Sequence, residues 1–447
     1  MALWFVSALL PEGWRRNVRI ELDGGLIASV ESDRAPEPTD ERHSVAVAGM
    51  PNVHSHTFQR AMAGLTEIRG DSDDSFWTWR ETMYRFLDRL DPDDVEAIAA
   101  LAFIEMLESG FTRVGEFHYL HHDHDGRHYT RIGELSERIA AAAAATGIGL
   151  TLLPVFYAHG GFGGLPPGAG QRRFITDLDS YARLVGEARQ AVATLPDAGI
   201  GLAPHSLRAV TPTQLRELVA MSTREPIHIH IAEQSREVED CKAWSGLRPV
   251  RWLIREMPVD RRWCLVHATH MDDEEILDAA ASGATAGLCP ITEANLGDGI
   301  FAAPAFVGAG GSIGIGSDSN VRIDLPLELS LLEYGQRLNL QKRNVMAMSA
   351  GESTGRALYS GARSGGARAL GRPGAGLEAG AVADIVALAD ETSVDPESML
   401  NRWIFGSRVN LVDRVWRHGR VMVKDGRHVS RDAVAARYRT SISRLTA

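Results

Sequence analysis

The chain has 447 residues, a length that allows two or three domains, or one large barrel with an appended domain. Hydrophobic residues make up 44% and charged residues 23%, a composition typical of a soluble globular protein. Its formal net charge of −11 argues against nucleic acid or an anionic membrane surface as a partner, since both are negatively charged. The longest run of small apolar residues, 140–145, is far shorter than the ~20 residues that span a bilayer.

Short strands are predicted at both ends of the chain. Residues 17–22 alternate polar and apolar side chains, a turn follows at 23–25, and residues 26–31 resume the pattern. Strand signals return after residue 371, at 383–388 and 412–423. Because the two ends resemble each other and differ from the middle, the sequence predicts a small β-sandwich domain built from residues 1–48 and 371–447.

Between residues 49 and 370, short apolar runs alternate with longer amphipathic segments. The strand candidates are residues 49–53, 112–116, 149–155, 199–203, 227–231, 264–267, 285–289 and 313–317. Helices are predicted between them, for example at residues 92–109, 131–146, 177–194 and 211–222. Eight such repeats predict an α/β fold in which residues 49–370 form a (β/α)8 TIM-like barrel.

Thirteen of the sixteen histidines lie between residues 54 and 270, mostly where a predicted strand ends. The active site of such a barrel lies at this end of its strands. His54 and His56 are two residues apart on a strand, so both point to the same face and can share a metal ion.

Three later strand ends carry further candidates for the same site. His228 and His230 repeat the spacing, and either imidazole is a candidate ligand. Glu233 follows them and either faces the pocket or caps the next helix. His267 lies at the end of the next predicted strand and is either a site residue, a core residue or a helix cap. Asp318 lies at the end of the last predicted strand and is either a metal ligand, a general base or an N-cap.

This ordered set of strand ends resembles the amidohydrolase superfamily, whose barrels also carry a β domain made from both termini. Binuclear members use a carboxylated lysine on strand four, but the lysines here are Lys242, Lys342 and Lys424, none of them near residues 199–203. The resemblance is therefore to the mononuclear deaminases and chlorohydrolases. It implies one Zn²⁺ per chain, with iron and manganese not excluded, held by His54, His56, His230 and Asp318. His228 is then a structural or supporting residue.

The resemblance also implies a hydrolytic reaction. Zn²⁺ lowers the pKa of a bound water from ~15.7 to ~7, which gives a hydroxide that attacks an sp² carbon bonded to nitrogen. Asp318, with His267 beside it, is expected to accept the proton of the water. Glu233 is expected to carry a proton to the departing nitrogen, and His267 to polarise the attacked centre.

Residues 52–65, 74–80, 115–119 and 157–163 resemble the formimidoylglutamate deiminase family more specifically. This family converts N-formimino-L-glutamate and water to N-formyl-L-glutamate and ammonia, in histidine degradation. Two carboxylates on a small amino-acid-derived substrate call for arginines with bidentate geometry. The residues predicted to bind the substrate are Arg80, Arg208, Gln59, Tyr119 and His205. Arg60 and Arg69 are weaker alternatives to the two arginines.

Other readings of the sequence remain open. The alternative function is another mononuclear deaminase that acts on guanine or a related heterocycle, and a third is a non-catalytic scaffold protein. His121, His122 and His124 form either a loop at the rim or a second metal site, and the glycines at 160–164 lack the Lys-Ser/Thr of a phosphate loop. The odd number of cysteines without CxxC spacing predicts reduced thiols and a cytoplasmic location. The family resemblance suggests a homodimer.

Overall fold

A computed structural model describes residues 1–69, 74–374, 376–389 and 395–446. The chain begins with four strands in which buried and exposed side chains partly alternate, as expected for a sheet with one face against a core. These strands are β1 (Ala2–Leu10), β2 (Gly13–Asp23), β3 (Leu26–Glu31) and β4 (Glu41–Ala48). β1 pairs antiparallel with β2 and parallel with β4.

Nine parallel strands follow and form the barrel. They are β5 (Met50–Ser55), β6 (Phe111–His118), β7 (Gly149–Phe156), β8 (Gly199–Ile200), β9 (Ala203–Pro204), β10 (Ile227–Ile231), β11 (Trp263–His267), β12 (Thr285–Leu288) and β13 (Ser312–Ile315). The hydrogen-bonded order runs β10-β11-β12-β13-β5-β6-β7-β8, and β9 also pairs with β7. A bridge between Leu202 and Ile227 closes the ring, so β8 and β9 together take the fourth of eight strand positions.

Helices connect these strands and cover the barrel. They are α1 (Phe76–Leu87), α2 (Pro92–Ser109), α3 (Glu134–Thr146), α4 (Leu178–Val192), α5 (Pro212–Met221), α6 (Ser235–Ser245), α7 (Pro249–Glu256), α8 (Asp273–Ser282), α9 (Pro290–Leu296), α10 (Ala303–Gly308), α11 (Leu325–Leu340) and α12 (Thr354–Ala369). Several begin at capping boxes that satisfy the first backbone N–H groups, such as Thr211 with Gln214 at α5. None of the helices within the described ranges is long and apolar enough to cross a membrane.

The C-terminal segment completes the first sheet. Its elements are β14 (Ile385–Leu388), α13 (Met399–Asn401), β15 (Val412–Arg417), β16 (Arg420–Lys424), β17 (Arg427–His428) and α14 (Arg431–Thr446). The eight strands of this sheet run in the order β17-β16-β15-β14-β4-β1-β2-β3, so β4 and β14 join the two ends of the chain. The structure thus confirms the predicted barrel and the second sheet made from both termini.

Two details differ from the prediction. The fourth strand is interrupted at Gly201, where an added Cβ would lie 2.7 Å from the carbonyl oxygen of Pro226 and 2.5 Å from Leu153. The last described residues form α14, a helix for which the sequence analysis predicted no element. α14 lies on the barrel helix α2, where Arg437 pairs with Glu96 at 2.8 Å.

Candidate metal centre and active site

Four predicted ligands meet where the strands of the barrel end. The Nε2 atom of His54 lies 3.1 Å from Nε2 of His56 and 3.0 Å from Nε2 of His230. Asp318 Oδ1 lies 3.3 Å from His56 Nε2 and 3.6 Å from His54 Nε2. One ligand atom from each of the four residues lies within 4.8 Å of the others, and all four residues are buried.

Backbone hydrogen bonds between neighbouring strands hold this cluster in register. The amide of Asp318 donates to the carbonyl of His54, and the amide of His56 donates to the carbonyl of Asp318. The side-chain oxygen of Asn52 accepts from the amides of His54 and Ser317 at 3.2 and 3.1 Å. Asp318 has φ of 44°, in the left-handed region, a strained conformation that is common at functional sites.

Burial disfavours the charged form of the imidazoles in the cluster, which suits them to bind a cation. Burial lowers the pKa of His56 to about 3 and lowers the pKa values of His54 and His230 well below the usual range. His56 Nδ1 donates to the carbonyl of Phe117 at 2.8 Å, and His230 Nδ1 donates to that of His205 at 3.0 Å. These contacts leave the Nε2 lone pairs facing one another. Three nitrogens and one carboxylate oxygen fit Zn²⁺.

His228 takes no part in the cluster, the arrangement that the family resemblance implied. Its Nε2 atom lies 2.7 Å from the carbonyl of Ala369 at the end of α12. This hydrogen bond ties β10 to a barrel helix, so the side chain points away from the ligands.

His267 lies beside the cluster among three carboxylates. Its Nε2 atom is 3.6 Å from Asp318 Oδ2 and 3.9 Å from Glu233 Oε1, and its Nδ1 is 3.2 Å from Glu293 Oε1. Burial lowers the pKa of His267, but the charge of Glu233, the hydrogen bond with Glu293 and the charge of Asp318 outweigh it and raise the value to about 10. Burial raises the pKa of Asp318 to about 7, although His267 opposes the shift.

Glu293 is a site residue that the sequence analysis missed. It lies in the first turn of α9, where its carboxylate also accepts from the backbone amide of Cys289 at 2.9 Å. In the sequence, Glu293 comes four residues after the predicted strand 285–289, a position typical of a residue that caps a helix. Its contact with His267 depends on the meeting of β11 and α9, which no local pattern encodes.

The cluster lies at the bottom of a cavity with about 570 Å³ of empty space, including its open mouth. This cavity brings together the five residues predicted to bind a substrate. Its lining includes Gln59, Arg80, Tyr119, His205, Arg208, Glu233, His267 and Asp318.

The two arginines approach the cavity from different elements. Arg208 Nη2 is 3.7 Å from Glu233 Oε2 and 4.0 Å from Glu237 Oε2, at long ion-pair distances. Arg80, on α1, places its guanidinium 4.5 Å from the ring centre of Trp77. Within the described part of the chain, the Nε atoms of both arginines are buried without a hydrogen-bond partner. Such orphaned donors mark places where a ligand oxygen can bind.

The alternative arginines are placed elsewhere. Arg60 Nε donates to Glu105 Oε2 at 2.6 Å, so its charge is already paired. Arg69 lines a separate surface groove next to α1. The geometry therefore favours Arg80 and Arg208 over Arg60 and Arg69.

Polar and aromatic groups complete the wall of the cavity. Gln59 Nε2 donates to the hydroxyl of Tyr119 at 2.7 Å, and Gln59 Oε1 is buried without a partner among the residues described. The His205 ring lies 4.8 Å from the His230 ring and 4.5 Å from the Tyr157 ring. One acceptor that has no partner in the described ranges and two aromatic rings, those of Tyr119 and His205, thus line the cavity.

The histidine run at the rim is occupied with loop contacts. His121 Nε2 lies 2.8 Å from the carbonyl of Val155, and His122 Nε2 lies 2.6 Å from that of Ile175. The glycine run after residue 159 forms a short turn, in which the amide of Gly160 donates to the carbonyl of Leu165. These contacts agree with the interpretation as rim loops.

Comparisons with known proteins agree with this geometry. The model of the amidohydrolase family matches residues 45–422, and the model described as the N-terminal domain of formimidoylglutamate deiminase HutF matches residues 4–44. The chain is 51% identical over 442 residues to a formimidoylglutamate deiminase of Pseudomonas aeruginosa, which covers 97% of both chains. It is 29% identical over 418 residues to an 8-oxoguanine deaminase of the same organism, covering 91% of this chain and 89% of that one.

Solved structures give the same result. A crystal structure of an amidohydrolase from Brucella melitensis is similar over 100% of both chains, with a TM-score of 0.98 and 53% identity. An adenosine deaminase from Xanthomonas campestris with bound zinc is 22% identical with a TM-score of 0.81, covering 100% of this chain and 98% of that one. The second similarity concerns the fold alone.

Proposed function

The chain belongs to the amidohydrolase family, and on that premise we propose that it hydrolyses N-formimino-L-glutamate to N-formyl-L-glutamate and ammonia. The observation that carries this conclusion is the joint placement, in one cavity, of a histidine–aspartate cluster and two arginines with orphaned donors. The histidine–aspartate cluster is suited to a metal ion that activates water, and the two arginines are suited to a substrate with two carboxylates. The formimidoylglutamate deiminase similar to this chain over nearly its full length supports the same substrate.

We assign the metal ion to His54, His56, His230 and Asp318, and we propose that it is Zn²⁺. The neutral imidazoles, the converging Nε2 atoms and the single carboxylate support this assignment. When bound there, the ion supplies a Lewis acid that makes water a nucleophile near neutral pH.

Proton transfer falls to the acidic residues around His267. Asp318 accepts a proton from the attacking water, since its Oδ2 atom faces the cavity beside His267. Glu233 carries a proton to the terminal nitrogen of the formimidoyl group. The oxygen of water then forms a bond to the carbon, the bond to that nitrogen breaks, and ammonia departs. His267, whose Nδ1 atom contacts the carboxylate of Glu293, donates a hydrogen bond from Nε2. This hydrogen bond stabilises the charge that develops on the atoms bonded to the reacting carbon.

Other residues that line the same cavity bind and orient the substrate. Arg80 and Arg208 bind the two carboxylates, because a guanidinium and a carboxylate match in bidentate geometry. Gln59, Tyr119 and His205 donate or accept hydrogen bonds around the chain of the substrate. The burial of these groups excludes water, which strengthens each charged contact.

The decisive experiment measures ammonia release by the zinc-loaded protein from N-formimino-L-glutamate, N-formimino-L-aspartate and guanine. Rapid release from the first compound alone is the expected result. Release from guanine and not from N-formimino-L-glutamate would overturn the assignment of Arg80 and Arg208 and favour a heterocycle deaminase. Metal analysis of the same sample is expected to give one zinc per chain.

Three broader assignments accompany this function. We propose that residues 49–370 form the catalytic barrel and that residues 1–48 and 371–447 form the small domain. The three buried free cysteines support a reducing, cytoplasmic location. A homodimer is proposed from the family resemblance, and sedimentation equilibrium tests it.

A further inference from the structure

A second group of metal-binding side chains lies directly beside the first. One ligand atom from each of His267, Cys289 and Asp318 lies within 4.8 Å of the others. The exposed fractions of these residues are 1%, 0% and 5%, so the group is shielded from solvent. Cys289 is the residue that follows β12 and begins α9. The reaction described above uses His267 and Asp318 but leaves Cys289 without a role.

Asp318 presents its two carboxylate oxygens to two different sets of ligands. Oδ1 lies 3.3 Å from His56 Nε2, within the first cluster. Oδ2 lies 3.6 Å from His267 Nε2, on the other side. A carboxylate with this disposition can bridge two metal ions.

Glu293 fixes the geometry of both remaining ligands. It accepts from His267 Nδ1 at 3.2 Å, which directs the Nε2 lone pair or proton of the ring toward Asp318. A carboxylate on the far nitrogen is the usual outer partner of a metal-binding histidine. The same Oε1 atom accepts from the backbone amide of Cys289 at 2.9 Å. One carboxylate therefore positions an imidazole and a cysteine side by side.

The thiol of Cys289 has space because residue 316 is a glycine. A Cβ at Gly316 would lie 2.9 Å from Cys289 Sγ and 2.8 Å from the carbonyl oxygen of His54. The sulfur thus occupies the room next to the strand that leads to Asp318. Thiolate, imidazole and carboxylate together suit Zn²⁺ and the softer Cd²⁺ much better than Mg²⁺.

We propose that His267, Cys289 and Asp318 form a second metal site, which excess Zn²⁺ or Cd²⁺ occupies and thereby inhibits the enzyme. Binding would displace the thiol proton of Cys289 and the Nε2 proton of His267 to solvent and would engage both side chains and Asp318 as ligands. Glu233 Oε1 lies 3.9 Å from His267 Nε2, so the proposed site borders the residue that carries the second proton in the reaction. Inhibition rests on the proposed function, because these residues move protons in it, but occupancy of the site does not.

The test compares the wild-type protein with Cys289→Ser and with the matched control Cys264→Ser. Cys264 is equally buried on the adjoining strand but lies outside the group of ligands. Protein loaded with one zinc per chain is titrated with Cd²⁺ while the ultraviolet thiolate-to-cadmium band is recorded, and zinc inhibition of ammonia release is measured separately. Wild type and Cys264→Ser are expected to bind a second ion with a thiolate band. Cys289→Ser is expected to lose the band and to need at least ~10-fold more Zn²⁺ for half inhibition.

Two results would overturn the proposal. One is the finding that the wild-type protein takes up no second ion with a thiolate band. This measurement needs no variant, so it tests the proposal even if Cys289→Ser does not fold. The other is an unchanged band in Cys289→Ser. A second ion bound through Cys289 in a protein without deiminase activity would confirm the site and reject the proposed function, so the two failures are distinguishable.

Discussion

Replacement of Arg208 tests how the cavity recognises its substrate. Arg208→Met keeps much of the side-chain volume but removes the charge, and Arg208→Lys keeps the charge without the planar fork of donors. The side chain is 12% exposed, its Nε has no partner among the described residues, and its nearest carboxylates lie at 3.7 and 4.0 Å. The guanidinium is therefore available to a substrate carboxylate.

The size of the effect follows from the hydrogen bonds that are lost. A hydrogen bond to a charged group contributes about 1.5–3 kcal/mol, so loss of a bidentate pair costs about 3–6 kcal/mol. At ~1.4 kcal/mol per factor of ten, kcat/KM for N-formimino-L-glutamate is expected to fall by ~10² to 10⁴ in Arg208→Met. Burial raises the pKa of Glu237 and Arg208 opposes the shift, so the pKa of Glu237 is expected to rise further in Arg208→Met.

Steady-state kinetics and metal analysis provide the readout. Both variants are expected to keep one metal ion per chain, with Arg208→Lys recovering only part of the loss. Two analogues that each lack one carboxylate sharpen the test, because one of them should lose little further activity in Arg208→Met. Unchanged kcat/KM, or loss of metal without a change in substrate binding, would refute the placement of Arg208 against a carboxylate.

Three further predictions concern the metal ligands, the residue that accepts a proton and the pH dependence of stability. His230→Gln is expected to lose the metal ion and His228→Gln to retain it, since only His230 faces the other ligands; equal metal contents by elemental analysis would contradict this. Asp318→Asn is expected to lower kcat by at least ~10² because the amide cannot accept a proton, and an active variant would reject its role. Burial raises the pKa of Glu225, but backbone amides, Arg189 and Ser222 together lower it to about 2. Because this value lies below that of the unfolded chain, the stability it contributes is complete above pH ~4.5 and is lost as the pH falls toward 2. Glu225→Gln should therefore flatten the decline of stability in acid urea titrations, and a parallel decline would contradict it.

The regular elements of the barrel were predictable because their patterns are local. The strand Ile227–Ile231 and the helix Pro92–Ser109 lie where apolar runs and caps place them. The meeting of the four proposed metal ligands was predictable in part, although the choice of His230 over His228 came from the family resemblance. Strand ends of such a barrel converge, so residues far apart in the chain share a site once the strands are known.

The remaining features depend on contacts between distant segments. The fourth strand breaks at Gly201, where Pro226 and Leu153 leave no room for a side chain, and nothing around residue 201 in the sequence reveals these contacts. Helix α14 carries an apolar stripe at Val434, Tyr438, Ile442 and Leu445 that packs on the core. Its helical period is therefore present in the sequence, but its position on α2, where Arg431 and Arg437 form ion pairs, is not. Glu293 lies on α9 and its partner His267 on β11, so their contact exists only in the folded barrel.

The join between β4 and β14 has a consequence for the order of folding during synthesis. β4 carries Val45, Ala46 and Val47, and its free side pairs with β14 only after the whole barrel has been translated. Until then, its backbone N–H and C=O groups form an unpaired apolar edge, which is a template for aggregation. The nascent chain thus exposes this edge early in synthesis, and only the docking of residues 385–388 covers it.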